Sequence, residues 1–468
     1  MSVYGSNRMR IPAQSMIFGG LLFAMLSRVQ GSDTLSPADL PIEAKVVGGT
    51  QVTHQTNSKT PIASATVIRT NYGSVISVAW SSDNQYFAIL QATGTSISVV
   101  VYSASTHEII KELALKKSGH YSGDQEPLYQ GSVAFSPDGR YLAAGAGIVT
   151  LWNTKTWDPI RDILGPFSRG AHAAGAVKNV AFSPDGKAIA ATYDAVIWPE
   201  SLKVDSHEDA AAVAELRKTD KSIQNAAAIM AFDIETTKRL FVYKEEPYQN
   251  KSVLFSAGLT YSPDGRYLIS SRREGIIGSA ITSDDDPTKQ FNYLTYLDSA
   301  NGRVVKSIPE VHVMAVTALA VSHNGRLIAS GTSTTDKDAI VNLRSNKWYA
   351  IENRDPIRLW DMTGGKQMVE MGPIRGGVKG LLFTPDDKIL ISCQTDKNDK
   401  ETVWLWNAEN GQLIDRVKTP RSGLDVKTCA MSPDGHTIAV PVANDIYLIE
   451  ITSRHSRSVQ TVHYEMSF

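Results

Sequence analysis

The sequence predicts an all-β protein: a seven-bladed β-propeller of four-stranded antiparallel blades, with insertions between second and third strands on one face. Three observations predict it. A turn of the form Ser136-Pro137-Asp138-Gly139 recurs seven times along the chain. Every copy lies between two short alternating apolar runs, the pattern of a hairpin. The apolar content of 42% and charged content of 20% suit a globular chain with a large core.

The first 31 residues read as an export signal rather than as fold. Arg8 and Arg10 precede an apolar run, Met16–Leu26, and Val29 and Gly31 are small enough to stand before a cleavage point. That run is short of the roughly 20 residues a membrane-spanning helix needs. The expected location is therefore extracytoplasmic, periplasmic or secreted, with no stable membrane insertion after cleavage. Removing residues 1–31 takes away three basic residues and no acid, leaving 44 basic against 48 acidic, a net −4. The intact chain carries −1, so no broad basic field is present to recruit nucleic acid. Residues 32–60 are rich in Ser, Thr, Pro and Gly and read as a flexible linker, and the propeller is expected over residues 61–468.

Turn chemistry sets the repeat. The other copies are Ser81-Ser82-Asp83-Asn84, Ser183-Pro184-Asp185-Gly186, Ser262-Pro263-Asp264-Gly265, Ser322-His323-Asn324-Gly325, Thr384-Pro385-Asp386-Asp387 and Ser432-Pro433-Asp434-Gly435. Proline presets φ, Asp bonds the backbone ahead of it, and Gly or Asn tolerates positive φ at the close. In the first unit Val75–Trp80 and Tyr86–Leu90 flank the turn, and Val99–Tyr102 and Glu108–Leu113 complete four strands. Four antiparallel strands per unit is the make-up of a propeller blade. The outer strand of the last blade could come from Val459–Tyr464 or from Ala65–Thr70, and pairing the chain's ends favours the second.

Several third strands end in Leu-Trp-Asp or Leu-Trp-Asn: Leu151-Trp152-Asn153, Leu359-Trp360-Asp361 and Leu405-Trp406-Asn407. Together with the turns, this resembles the WD-repeat (WD40-like) β-propeller family over nearly all of residues 61–468. The resemblance implies seven blades and a hydrogen-bonded set in which a His meets Ser, Asp and Trp. His172 and His312 fall near the position of that His, although neither follows the family's Gly. His312, Ser330 and Trp360 match the set, whereas Asp355 sits one residue too close to the Trp. These residues, with Trp152 and Trp406, are read as structural.

Spacing between successive turns carries the functional signal. It runs 55, 47, 79, 60, 62 and 48 residues, against roughly 40–45 for a minimal blade. The excess falls between second and third strands, at Trp198–Asn225, Arg272–Asn292 and Thr334–Asp355. In the resembled fold these connections share one face. His207–Leu216 has the pattern of a short helix, and Asp284-Asp285-Asp286 lacks the alternate spacing of a calcium loop. Arg272 and Arg273 in the second insertion, and Arg344, Lys347, Trp348, Tyr349 and Arg354 in the third, are the candidate binding residues. Aromatics among cations suit peptide, anionic or sugar-like ligands. Trp348 and Tyr349 could equally pin the loop to its blade.

Cys393 and Cys429 lie in neighbouring units. They read as two small buried thiols, with a disulfide left open by the expected compartment. No nucleophile elbow, zincin motif, phosphate loop or Cys-x-x-Cys is present, and no metal or cofactor is implied. The expected function is that of an exported, non-enzymatic scaffold binding a protein or peptide through the insertion-bearing face. The alternative is an exported propeller enzyme, a lyase, hydrolase or quinone-dependent dehydrogenase, with its site at the mouth of the axial channel.

Overall fold

The structure, a computed structural model, describes residues 43–47, 50–56, 62–70, 73–93, 96–115, 131–146, 148–163, 177–198, 224–244, 251–276, 291–309, 311–312, 316–332, 338–342, 347–351, 357–372, 377–395, 401–418 and 428–451. The propeller belongs to a unit spanning Leu40–Phe468. The expected signal, residues 1–31, lies outside the described residues.

Three strands open the described chain: β1 (Glu43–Val47), β2 (Thr50–Thr56) and β3 (Ile62–Arg69). Blade 1 is β4–β7 (Ser74–Trp80, Tyr86–Thr93, Ser96–Ser103, Ile109–Ala114). Blade 2 is β8–β11 (Ser132–Phe135, Tyr141–Gly145, Val149–Asn153, Pro159–Ile163). Blade 3 is β12–β15 (Val177–Phe182, Ala188–Trp198, Gln224–Asp233, Arg239–Lys244). Blade 4 is β16–β19 (Lys251–Tyr261, Tyr267–Ile276, Phe291–Asp298, Val304–Ile308). In blade 5, β20 (Val316–Val321) and β21 (Leu327–Thr332) are followed by a separate hairpin, β22 (Asp338–Asn342) and β23 (Lys347–Ile351). Strands β24 (Ile357–Asp361) and β25 (Gln367–Met371) then complete that blade. Blade 6 is β26–β29 (Gly377–Phe383, Ile389–Thr395, Glu401–Asn407, Leu413–Lys418). Blade 7 takes β30 (Ala430–Met431), β31 (Thr437–Val442) and β32 (Asp445–Ile451) from the end of the chain.

The fourth position of blade 7 is filled by β3, which pairs antiparallel with β32 through Val67↔Tyr447 and Ile68↔Ile446. The N-terminal strand therefore closes the ring, as the favoured reading expects, while Val459–Tyr464 lies outside the described residues. One departure accompanies it. Residues 43–56, within the stretch read as a linker, form β1 and β2 and extend this blade to six strands. Between them stands Gly48-Gly49, a two-residue hairpin signal that composition alone concealed.

The core is distributed between blades rather than gathered at a centre. Ala88, Leu90, Val99 and Val101 of blade 1 bury against Val133, Leu142 and Trp152 of blade 2. Ile68, Ile446 and Leu448 of blade 7 bury against Val78, Phe87 and Tyr102 of blade 1. Full burial of each such side chain is worth about 1.5–3 kcal/mol. Closure thus stabilises two interfaces at once, because no blade is left with a bare apolar face.

All seven first-to-second-strand turns lie on one face. In every well-formed copy the first residue's hydroxyl donates to the Asp or Asn two residues on: Ser136 Oγ to Asp138 Oδ1 at 2.6 Å, and Ser322 Oγ to Asn324 Oδ1 at 2.9 Å. A backbone amide donates to the same oxygen, from Arg140 to Asp138 and from Arg326 to Asn324. Asn84 and Asp387, which replace the closing Gly, still adopt φ of 59° and 57°. Their side chains explain the exception. Asn84 Nδ2 donates to Asp434 Oδ2 across the blade 1–blade 7 junction at 2.6 Å. Asp387 accepts from the amides of His323 and Asn324 across the blade 5–blade 6 junction. The third-to-fourth-strand turns pack beside these, as in Thr154 N to Arg140 O and Met362 N to Arg326 O. Strand alternation then places every second-to-third-strand connection on the opposite face.

Candidate functional site

Three blades in succession extend beyond the ring on that opposite face. In blade 3, β13 and β14 run on to Trp198↔Gln224, past a register shift between Tyr193 and Val196. In blade 4, β16 and β17 continue to Lys251↔Ile276. In blade 5, β22 and β23 pair as an independent hairpin, with Val341↔Trp348 and Ile340↔Tyr349. The expected helix at His207–Leu216 and the triple acid Asp284–Asp286 lie outside the described residues.

The candidate binding residues are placed unequally. Arg272 and Arg273 were expected in a loop, and the structure corrects this by putting both in β17, paired with Tyr293 and Asn292 of β18. The Arg272 guanidinium stands over the Tyr293 ring at 4.4 Å. Its flat cation is therefore held by an aromatic face at the root of the blade 4 insertion. Lys347, Trp348 and Tyr349 lie together on β23. Arg344, Arg354 and His172 lie outside the described residues. The sequence-predicted set is thus divided between two neighbouring blades of one face.

Two features at the base of this face were missed. The first is a recurring bulge in the innermost strand, between Val75/Ser77, Val177/Asn179, Val316/Ala318 and Val378/Gly380. It sets Lys178 and Lys379, both half-buried, at the axial mouth in blades 3 and 6. Thr317, at the same position of blade 5, donates from Oγ1 to the Val378 carbonyl at 2.6 Å and joins blades 5 and 6. The sequence signal was a Lys after Val at the start of an otherwise apolar first strand. The second is a polar layer at one register of the second strands: Gln91, Tyr193, Arg272, Thr332 and Gln394. Four of these are almost fully buried, and burial pushes the Tyr193 phenol above its ordinary range.

The innermost strands are chemically sparse. Their charged residues are Lys178, Lys251 and Lys379, with no carboxylate, imidazole or guanidinium on any of the seven. Among the described residues, no group of three or more His, Cys, Asp or Glu could hold a metal ion. No helix there is long and apolar enough to cross a membrane.

The structural set of blade 5 is joined by hydrogen bonds. His312 Nε2 and Ser330 Oγ are 2.8 Å apart, and Trp360 Nε1 donates to the same hydroxyl at 2.8 Å. His312 and Ser330 are 2% and 0% exposed, so the imidazole is walled off from any ligand. Arg358 donates to the Val311 carbonyl at 2.6 Å and holds that segment in place. In blade 6 Trp406 Nε1 donates to Ser392 Oγ at 2.9 Å. In blade 2 the matching residue is Ala144, and Trp152 is simply buried in the inter-blade core.

Cys393 and Cys429, expected as two small buried thiols with a disulfide left open, are both buried, and the structure corrects the thiol reading to a disulfide between blades 6 and 7, with Cα atoms 6.4 Å apart. Adjacent blades bring β27 and the approach to β30 together, a juxtaposition that no local pattern reports. Gly380 makes room, since a Cβ there would lie 2.5 Å from Cys429 Sγ.

Seven antiparallel blades of four strands, the last extended by β1 and β2, make a β-propeller, and its hydroxyl-to-Asp turns and buried Trp-terminated third strands are like those of WD-repeat proteins. Comparisons with known proteins agree. The family profile for the WD domain, G-beta repeat, matches residues 116–153 and 303–342. Human WD repeat-containing protein 90 is 26% identical over 109 residues, covering 23% of this chain and 5% of that protein. Human apoptotic protease-activating factor 1 is 33% identical over 94 residues, covering 18% of this chain and 7% of that protein. The chain thus spans a small fraction of the length of these relatives. A chain in the crystal structure of the mitotic checkpoint complex superposes with a TM-score of 0.54 at 14% identity, covering 92% of this chain and 99% of that one. At that identity the likeness shows the fold.

Proposed function

We propose that the protein is an exported, non-enzymatic scaffold that binds a protein or peptide partner through the insertion-bearing face. The observation that carries this reading is that, among the described residues, blades 3 and 4 carry lengthened strands and blade 5 a separate hairpin, all on one side of a closed ring. Irregular segments on a rigid frame are where binding usually resides. A family commonly mediating protein interactions and a structural neighbour from a multiprotein assembly support the class of partner.

Two observations support the finer points. A buried disulfide between blades suits an oxidising compartment and agrees with the signal-like Met16–Leu26 run. An enzyme working at the axial mouth would draw acid–base groups from several innermost strands, and the ionisable side chains of these strands are three lysines and Tyr261.

The test is affinity capture from the extracytoplasmic fraction, comparing the intact chain with a variant in which residues 334–355 are replaced by a short Gly-Ser link. The expected result is loss of the partner with an unchanged melting temperature. An identical set of partners would overturn the assignment of this face.

A further inference from the structure

The face opposite the insertions carries a cleft of about 580 Å³ between blades 3 and 4. Its rim carries three carboxylates, Asp185, Asp233 and Asp264, and one cation, Lys187, and Leu240 and Pro184 line its side. Leu240 is 44% exposed and offers an apolar surface beside the cleft.

Of the two turn carboxylates in this cleft, Asp264 is paired with Arg266, whereas Asp185 feels the Lys187 charge but has no side-chain ion pair among the described residues. In blades 2 and 4 the outer oxygen of the turn Asp is taken by an arginine two residues on: Arg140 Nε to Asp138 Oδ2 and Arg266 Nε to Asp264 Oδ2, both 2.6 Å. In blade 3 that position is Lys187, and only its backbone amide bonds Asp185, at Oδ1. The Ser183 hydroxyl donates to the same oxygen at 2.6 Å. Among the described residues, Oδ2 of Asp185 has no side-chain donor.

Tyr261 supplies an independent observation. It is 7% exposed and lines the cleft, yet its hydroxyl has no hydrogen-bond partner among the described residues. Tyr261 and Asp185 line the same cleft, and burial, then the negative charge of Asp185, raise the phenol's pKa above the ordinary value. A buried hydroxyl left unmatched is destabilising, so a ligand that satisfies it gains affinity.

We propose that this cleft is a second docking site, which takes an arginine side chain presented by a protein partner. The guanidinium donates to Asp185 Oδ2 and to the Tyr261 hydroxyl, and its aliphatic stem lies along Leu240 and Pro184. A planar fork can meet two acceptors together, which a single ammonium does less well. Asp233 and Asp264 add negative potential at the rim. The site stands on the other side of the ring from the insertions, so it operates independently of the function proposed above.

The test uses the full chain and the peptide acetyl-Gly-Ala-Arg-Ala-Gly-amide, with its citrulline isostere as the uncharged control, and titrates binding by NMR. Asp185→Asn is a mild variant, because Asn324 occupies the same turn position in blade 5 and makes the same two bonds. The expected results are binding of the arginine peptide, about tenfold loss on citrulline replacement or in Asp185→Asn, and several-fold loss in Tyr261→Phe. Removal of residues 334–355 leaves these affinities unchanged. Equal affinity for the arginine and citrulline peptides, unchanged binding in Asp185→Asn, or no binding at millimolar peptide would each overturn the proposal.

Discussion

Breaking the Cys393–Cys429 link gives a prediction whose size follows from its place in the chain. The two cysteines are 36 residues apart. Closing a loop of that length in the unfolded chain corresponds to about 4 kcal/mol of stability on the chain-entropy relation. The unit Leu40–Phe468, at about 2.1 cal/mol/K per residue, has an unfolding entropy of about 0.9 kcal/mol/K. The double variant Cys393→Ala, Cys429→Ala should therefore melt about 4 °C lower than the oxidised chain. Alanine is the right replacement, because the cysteines are 0% and 6% exposed and serine would bury two new hydroxyls. Calorimetry with and without a phosphine reductant should show the same fall for the unmutated chain and none for the variant. Two reactive thiols per chain in protein denatured without reductant would refute the reasoning. So would an unchanged melting temperature on reduction.

Other consequences concern the frame. Ser330→Ala removes the hydroxyl that both His312 and Trp360 bond, and should cost about 1–3 kcal/mol in urea unfolding with an unchanged m-value. Gly302→Ala places a Cβ 2.3 Å from the Phe241 ring at the blade 3–blade 4 interface, at φ +72°, and should cost at least about 1 kcal/mol by the same measurement. Hydrogen bonds from Ser183 and Ser262 hold Asp185 and Asp264 below the usual carboxylate value. Burial opposes the shift at Asp138 and Asp434, but donors from Ser136 and Ser432 and from the turn amides outweigh it. Carboxylates depressed on folding add stability above their unfolded pKa and lose it as pH falls through the folded value. The melting temperature should accordingly stay level from pH 7 to about 5 and drop below about 4, with a shallower drop in Asp138→Asn.

The blades were legible because their signal is local. Ser-Pro-Asp-Gly encodes a turn in four residues, and seven copies count the repeat without any long-range information. The Leu-Trp-Asn and Leu-Trp-Asp ends work in the same way. Asn84 and Asp387 stand where other copies have Gly, and only the ring shows that each joins its turn to a neighbouring blade. Strands β1 and β2 were hidden because a Ser- and Thr-rich segment resembles a tail until β3 offers it an edge. The disulfide depends on which blades are neighbours, and the Tyr261 cleft takes its walls from two different blades. Arg272 and Arg273 were placed in a loop because spacing locates an insertion but not the residue at which its strands separate.

Binding through the insertion-bearing face is tested by placing a photo-crosslinking amino acid on each face in turn. Position 349 on β23 reports the insertion-bearing face, and position 155, in a turn of blade 2, reports the other. Mass spectrometry of material crosslinked in the native compartment identifies what each position touches. The expected result is one specific protein attached at position 349 and absent from position 155. The same protein attached at 155 but not at 349 would contradict it.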